Sequence, residues 1–221
     1  MIIPLSYPFS PGSPLYPNTP PPSVHPLQSM RRGATANTST ITFSTHSGTH
    51  VDAPRHFCGQ GKTIADCLAV VTVFYPVYCI DVPKGAAEEI MVSDLENRIS
   101  HVQDAEAILI RTGWHRVRSG NPERYCTDHP WVSPDVSRFL REQCPGLRLF
   151  GLDQISISSP LQRETGHACH RAFLCGERPV LLLEDLDLSN DRVTKRFRMH
   201  IFPVFIDDID GIPVTVIAEI P

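Results

Sequence analysis

The stretch from His46 to His56 reads His-Ser-Gly-Thr-His-Val-Asp-Ala-Pro-Arg-His, and it constrains this chain more than any other feature. Three histidines and one aspartate fall within eleven residues, all at even positions. In an extended segment, side chains alternate faces with a period of two. His46, His50 and Asp52 are therefore expected on one side, with Gly48 leaving open space between them. A helix also brings His46 and His50 together at i, i+4, but it swings Asp52 off that face. Gly48, Thr49 and Pro54 all disfavour helix. Two imidazoles and a carboxylate aimed at one point form the donor set of a divalent ion such as zinc. His56, just beyond, is expected to act in proton transfer.

Bulk properties narrow the classes. A chain of 221 residues fits one large domain or two small ones, and the expectation is a single domain over 1–221. Apolar residues make up 41% of it, enough for an ordinary core. A formal charge of -4 gives no hint of nucleic-acid binding, which usually needs a basic patch. No run approaches the ~18 apolar residues of a membrane span. The N-terminus has neither the basic start nor the apolar run of a signal peptide. The expected partner is a small-molecule substrate. The seven cysteines (58, 67, 79, 126, 144, 169 and 175) are odd in number and contain no C-x-x-C pair. Free thiols in a reducing cytosol, hence a cytoplasmic location, are expected.

The first ~30 residues are rich in proline and predict an extended, loop-like arm, with Tyr7, Phe9, Leu15 and Tyr16 laying it over the domain. Residues 41–45 predict a short strand feeding the histidine motif. Residues 70–82 predict another, with Pro76 at a break or edge. Ser93 and Glu96 form a capping-box pattern for a helix. Residues 107–110 and 147–152 predict buried strands, and 180–183 a third. Ser133 and Pro134 open a helix to Gln143, and 166–174 predict another. A terminal strand pair, 200–206 and 213–218, flanks the turn Asp208-Ile209-Asp210-Gly211. Strands and helices are interspersed without strict βαβ alternation, which points to a mixed α/β architecture.

The His46–His56 run resembles the signature H-x-G-T-H-x-D-x-P-x-H of the metal-dependent cyclase family, which includes bacterial kynurenine formamidase (arylformamidase) and isatin hydrolase. Every fixed position is present. The proline-rich opening after Leu5-Ser6, the strand ending Arg111-Thr112-Gly113, and the downstream His170-Arg171-x-x-Leu174 helix also match. The resemblance implies an α/β swivelling β/β/α fold, a mixed barrel-like β-sheet with flanking helices. It further implies one or two divalent ions per subunit, one held by His46, His50 and Asp52, the other by Asp52, His170 and Glu184. His167 competes with His170 at i, i+3 on the same helix. Glu184 follows the aliphatic run Val180–Leu183, so it is either held in a site or solvated at the head of an acidic stretch. The remaining histidines (25, 101, 115, 129 and 200) read as surface or structural groups. Gly61-Lys62-Thr63 lacks the upstream glycine of a phosphate loop, and the aspartates at 185, 187 and 191 lack the glycine and glutamate of a calcium loop.

The implied activity is hydrolysis of a C–N amide bond in a small formylated or cyclic amide. N-formylkynurenine, in tryptophan catabolism, is the first substrate to consider, with His56 as the catalytic general base and acid. The alternatives are a cyclic imide or lactone hydrolase, resembling isatin hydrolase, and a metal- or ligand-binding protein without turnover. Zinc is expected first, with manganese or iron also suited to these donors. Phe57, Tyr7, Phe9 and Tyr16 are the rings expected near a substrate. Thr215 stands where many relatives carry arginine. The family suggests a homodimer or homotetramer, with the proline-rich arm as an interface element.

Overall fold

The computed structural model describes residues 1–68, 72–194 and 196–220. In chain order the strands are β1 (Ile2–Pro4), β2 (Ser23–Gln28), β3 (Thr38–Thr42), β4 (His50–Asp52), β5 (Val73–Asp81), β6 (Glu89–Ile90), β7 (Ala107–Arg111), β8 (Trp131–Val132), β9 (Leu149–Leu152), β10 (Leu181–Glu184), β11 (Phe197–Pro203) and β12 (Gly211–Glu219). The helices are α1 (Ile64–Leu68), α2 (Glu96–Ile99), α3 (His115–Gly120), α4 (Pro122–Thr127), α5 (Pro134–Gln143) and α6 (Arg163–Leu174).

Seven strands close into a barrel in the order β4, β10, β9, β7, β5, β11, β12 and back to β4, and β1 adds to the flank of β12. The run β5–β7–β9–β10 is parallel, while β4, β11 and β12 pair antiparallel with their neighbours. Closure leaves the sheet without a long open edge. The expected mixed barrel-like α/β fold is therefore what the chain adopts.

Alternation along the strands divides the core in two. Leu109, Leu183, Val51, Met199 and Val216 belong to the cluster inside the barrel. Ile108, Ile110, Phe150, Leu152 and Leu182 belong to the cluster between the barrel wall and the helices, with Leu140 of α5 and Phe173 of α6. With Val51 pointing inward, His50 and Asp52 project from the outer face of the wall. Glu184 shares the parity of Leu182 and lies on that same face, toward α6. The functional side chains thus occupy the seam between barrel and helix, outside the barrel itself.

Several local expectations change. The N-terminal arm is not a loop throughout: Ile2–Pro4 joins the barrel, and Ser23–Gln28 forms an exposed hairpin with Thr38–Thr42. The strand feeding the motif ends at Thr42, not Thr45. The expected start at Val70 lies outside the described residues. Pro76 sits inside a central strand. A register irregularity between β5 and β11 falls there, where the missing N–H would interrupt the ladder. Ser93 is no N-cap, because its neighbourhood forms a one-turn helix over Val92–Asp94, with the Met91 N–H donating to Asp94 Oδ2 at 2.7 Å. Cys58 and Cys175, expected as free thiols, form a disulfide with a Cα–Cα separation of 5.9 Å. They lie 117 residues apart, so only the tertiary fold brings them within bonding geometry. No helix among the described residues is long and apolar enough to cross a membrane.

Candidate metal centre

The site grows from the register of β4. His50 pairs with Glu184 and Asp52 with Leu182 on one side, while Asp52 pairs with Gly211 on the other. A three-residue strand therefore sets two ligand-type side chains beside a carboxylate from β10 and beside the loop ahead of β12. His46 arrives differently from the extended expectation. The chain from His46 to Thr49 is a loop, turned by Gly48 at φ +62. A Cβ on Gly48 would stand 2.9 Å from the Phe9 ring, so the arm covers the gap this glycine leaves. On the other side, a Cβ on Gly211 would meet the His46 ring at 2.5 Å. His46 fits only because that position has no side chain.

All five expected ligands line one cavity of about 290 Å³, together with His56. His46 Nδ1 lies 2.8 Å from Asp52 Oδ1. His50 Nε2 lies 3.4 Å from both Asp52 Oδ1 and Glu184 Oε2. His170 Nε2 lies 3.9 Å from Asp52 Oδ2 and 3.7 Å from Glu184 Oε1. Distances of 3.4–3.9 Å are too long for hydrogen bonds. They suit pairs of ligands that each stand about 2.0–2.2 Å from a shared ion. Asp52 Oδ2 is buried and has no hydrogen-bond partner, which is costly unless something else satisfies it. The residues present therefore fit a divalent ion.

The outer nitrogens support the same conclusion. His50 Nδ1 donates to the Gly48 carbonyl at 2.8 Å, and His170 Nδ1 to the Gly166 carbonyl at 2.9 Å. His46 Nε2 donates to Asp210 Oδ2 at 2.8 Å. Each imidazole thus has one nitrogen held by an oxygen and its other nitrogen turned to Asp52, and for His50 and His170 to Glu184 too, the arrangement that fixes tautomer and ring orientation in metal-ligating histidines. Glu184 is anchored as well: its Oε1 accepts from the Ile157 N–H at 2.7 Å and from the Ser156 hydroxyl at 3.2 Å.

Electrostatics follow burial and charge. Burial alone would lower the His46 pKa, yet Asp52 and Asp210 outweigh it and raise it to about 9. For His50, burial is likewise overcome by Asp52 and Glu184, so it too shifts well up. Asp52, which burial alone would raise, is held well below the usual carboxylate range by His46 and His50. His170 moves the other way, because burial outweighs Glu184 and Asp52. It stays neutral, the form that ligates.

Asp210 is the residue that sequence reading missed. Its Oδ2 accepts from both His46 Nε2 and His56 Nδ1, the latter at 3.0 Å, and its Oδ1 accepts from the Thr45 hydroxyl. Those two imidazole bonds hold its carboxyl below the ordinary range. His46 and His56 stack at 3.8 Å beneath it. The only sequence signal was its place in a turn, where aspartate is common for conformational reasons alone.

The structure separates His170 and Glu184 from their competitors by position. His167 is exposed and packs on Phe57 at 5.6 Å, while the His170 imidazole reaches the carboxylates. Glu184 is 3% exposed and Asp185 fully buried, so the acidic run is not a solvated head. Of the expected rings, Phe57 and Tyr16 line the cavity, and Phe57 stacks on His170 at 4.4 Å. Tyr7 turns away to cover Arg118, and Phe9 lies over Gly48.

Comparison with known proteins agrees with this fold. A family profile described as putative cyclase matches residues 3–159. Kynurenine formamidase of Bacillus mycoides (strain KBAB4) is 31% identical over 217 residues, covering 98% of this chain and 96% of that protein. Kynurenine formamidase of Bacillus anthracis is 31% identical over 218 residues with the same coverage. Isatin hydrolase A from Labrenzia aggregata superposes with a TM-score of 0.80 at 22% identity, over 100% of this chain and 93% of that one. A Bacillus stearothermophilus structure described as a predicted metal-dependent hydrolase gives 0.77 at 22%, over 99% and 97%. With the signature intact and the profile spanning well over half its length, the chain belongs to the cyclase family.

Proposed function

We propose that this cyclase-family enzyme hydrolyses the C–N amide bond of a small formylated or cyclic amide, with N-formylkynurenine-type substrates first. Its metal is held by His46, His50, Asp52, His170 and Glu184, with zinc ahead of manganese and one or two ions per subunit. The observation that carries the reading is the matched state of the three imidazoles. Each has its outer nitrogen committed to an oxygen and its inner nitrogen turned to Asp52, and for His50 and His170 to Glu184 as well. Relatives about 31% identical across the whole chain bear the name kynurenine formamidase, which supports the substrate class.

A bound divalent ion supplies Lewis acidity toward a carbonyl and toward water. The protein supplies the rest. The His56 Nδ1–H donates a hydrogen bond to Asp210, which leaves Nε2 as a base at the wall of the cavity. From there it takes a proton from water and returns it to the leaving nitrogen. Phe57, Tyr16 and Ile155 provide flat or apolar wall for an aryl group.

A homodimer or homotetramer belongs to the same reading. The β2–β3 hairpin leaves Val24, Leu27 and Ile41 at least half exposed, and a bare two-stranded ribbon is marginal in water without a partner. The Cys58–Cys175 disulfide removes the free-thiol ground for a cytoplasmic location, and intact-mass analysis of protein from its native compartment decides it: reduced thiols support the cytoplasm, an intact bridge an oxidising compartment. The deciding experiment is N-formyl-L-kynurenine hydrolysis by zinc-reconstituted protein, beside isatin and a simple lactone. Preferred turnover of the formylated amine supports the proposal. Turnover confined to isatin or the lactone moves the substrate to cyclic compounds. Tight metal binding with no turnover of any of the three favours a binding protein.

A further inference from the structure

A buried ion cluster that takes no part in the proposed chemistry lies directly behind Glu184. Asp185 is fully buried and sits at φ +55, a left-handed conformation that a non-glycine residue rarely adopts. Its carboxylate accepts two bonds from the Arg118 guanidinium, both at 2.8 Å, and one from the Tyr125 hydroxyl at 2.6 Å. Tyr7 covers the guanidinium from the other side, 3.7 Å from ring centroid to Cζ. The backbone of Asp185 is fixed too. Its N–H donates to the Gln154 carbonyl at 2.8 Å, and its carbonyl accepts from the Thr49 hydroxyl at 2.5 Å. Thr49 precedes His50, the residue that pairs with Glu184 across β4 and β10.

We infer that the Arg118–Asp185–Tyr125 clamp is a positioning device. By locking the left-handed turn immediately after Glu184, it sets that carboxylate against His50 and Asp52 and so tunes the affinity of the centre for a divalent ion. None of the three clamp residues lines the cavity, so the clamp acts only through Glu184 and His50. A buried ion pair is weak evidence of stabilisation in itself, because desolvation opposes attraction. What this one adds is anchorage, with side-chain and main-chain bonds converging on one strained residue. The inference rests on the proposed metal centre.

The test is Co2+ titration of the metal-stripped full-length protein, followed by the visible spectrum of the bound ion, alongside melting curves. Arg118→Met alone leaves a buried carboxylate uncompensated and is expected to unfold easily. Arg118→Met combined with Asp185→Gly removes both charges, and glycine enters the left-handed turn without strain. Tyr125 keeps the Asp153 carbonyl, at 3.4 Å, as an alternative acceptor. The double variant is expected to melt near wild type yet bind Co2+ at least tenfold more weakly, with an altered spectrum. Losses of roughly 10–100-fold are typical when outer partners of a metal site are removed. Tyr125→Phe, which removes one bond and no charge, is expected to weaken binding by a smaller factor. Wild-type affinity and spectrum in both variants overturn the positioning role. A wild-type protein that takes up no Co2+ overturns the metal centre itself, and the clamp's role with it.

Discussion

The centre has a deep half and a shallow half, built by different means. In the deep half, His50, Asp52, Glu184 and His170 expose only 1–5% of their side chains and stand on β4, β10 and α6. In the shallow half, His46, His56 and Asp210 expose 22–35% and stand on loops and a single turn. Asp52 is shared, with its Oδ1 turned to both His46 and His50. In the proposed function, rigid, register-locked elements hold four of the five ligands. His46 joins them as the fifth ligand from its loop, while His56 and Asp210, near solvent, are proposed to carry the proton traffic, which needs access to water. The contrast teaches that holding an ion and moving a proton make opposite demands on burial, and one short segment serves both by leaving its strand at Asp52.

Removing a deep ligand is the harshest challenge to this division. His50→Ala is expected to abolish metal uptake and turnover together, as measured by metal analysis of the purified variant. Full metal content there would mean the deep half is not the holding half. Next in size is the disulfide, which joins the loop two residues beyond His56 to the end of α6, five residues beyond His170. Loss of a native disulfide typically costs about 2–5 kcal/mol. Treatment with a dithiol, or Cys58→Ser, is expected to lower the denaturation midpoint by a corresponding amount. A midpoint unmoved by complete reduction would show that the two halves need no tie.

Asp210→Asn sharpens the boundary. It removes the anionic acceptor of both His46 and His56 while leaving every deep contact in place. A loss of roughly 10–100-fold in turnover is expected, with metal still bound. Stoichiometric loss of metal instead would move Asp210 into the holding half.

The smallest expected effect is a pH dependence. The His46 pKa in the folded, metal-free protein, about 9, lies above its ordinary 6.5. Its contribution to metal-free stability is therefore full below pH 6.5 and fades as pH rises through about 9. An incoming ion displaces that proton, so metal affinity should rise across the same interval. Melting of chelator-stripped protein and metal titration at both ends of the interval check the two signs. An affinity that falls with rising pH would exclude His46 as a proton-competing ligand.

Much of this was legible in the chain because its signals are local. The even spacing from His46 to His56 marked out the ligand-type set, although only His50 and Asp52 owe their shared face to strand alternation. Glu184 betrayed itself as a carboxylate straight after four aliphatics. Residues whose roles depend on strand register stayed hidden. Asp210 reaches His46 and His56 only because β12 starts opposite Asp52, and in the sequence it looks like any turn aspartate. Cys58 and Cys175 meet only once α6 is packed on the barrel. Arg118, 67 residues from Asp185, carries no motif at all. The Ser93 cap failed because Asp94 bonds the Met91 N–H first and draws the chain into a tighter turn.

The most direct test of the division of labour is a paired measurement on His56→Ala, namely metal content and the hydrolysis rate of N-formyl-L-kynurenine. The account predicts wild-type metal stoichiometry with a rate lowered roughly 10²–10⁴-fold, the range for removing a general acid–base group. Loss of a metal equivalent, or a rate equal to wild type, would contradict it.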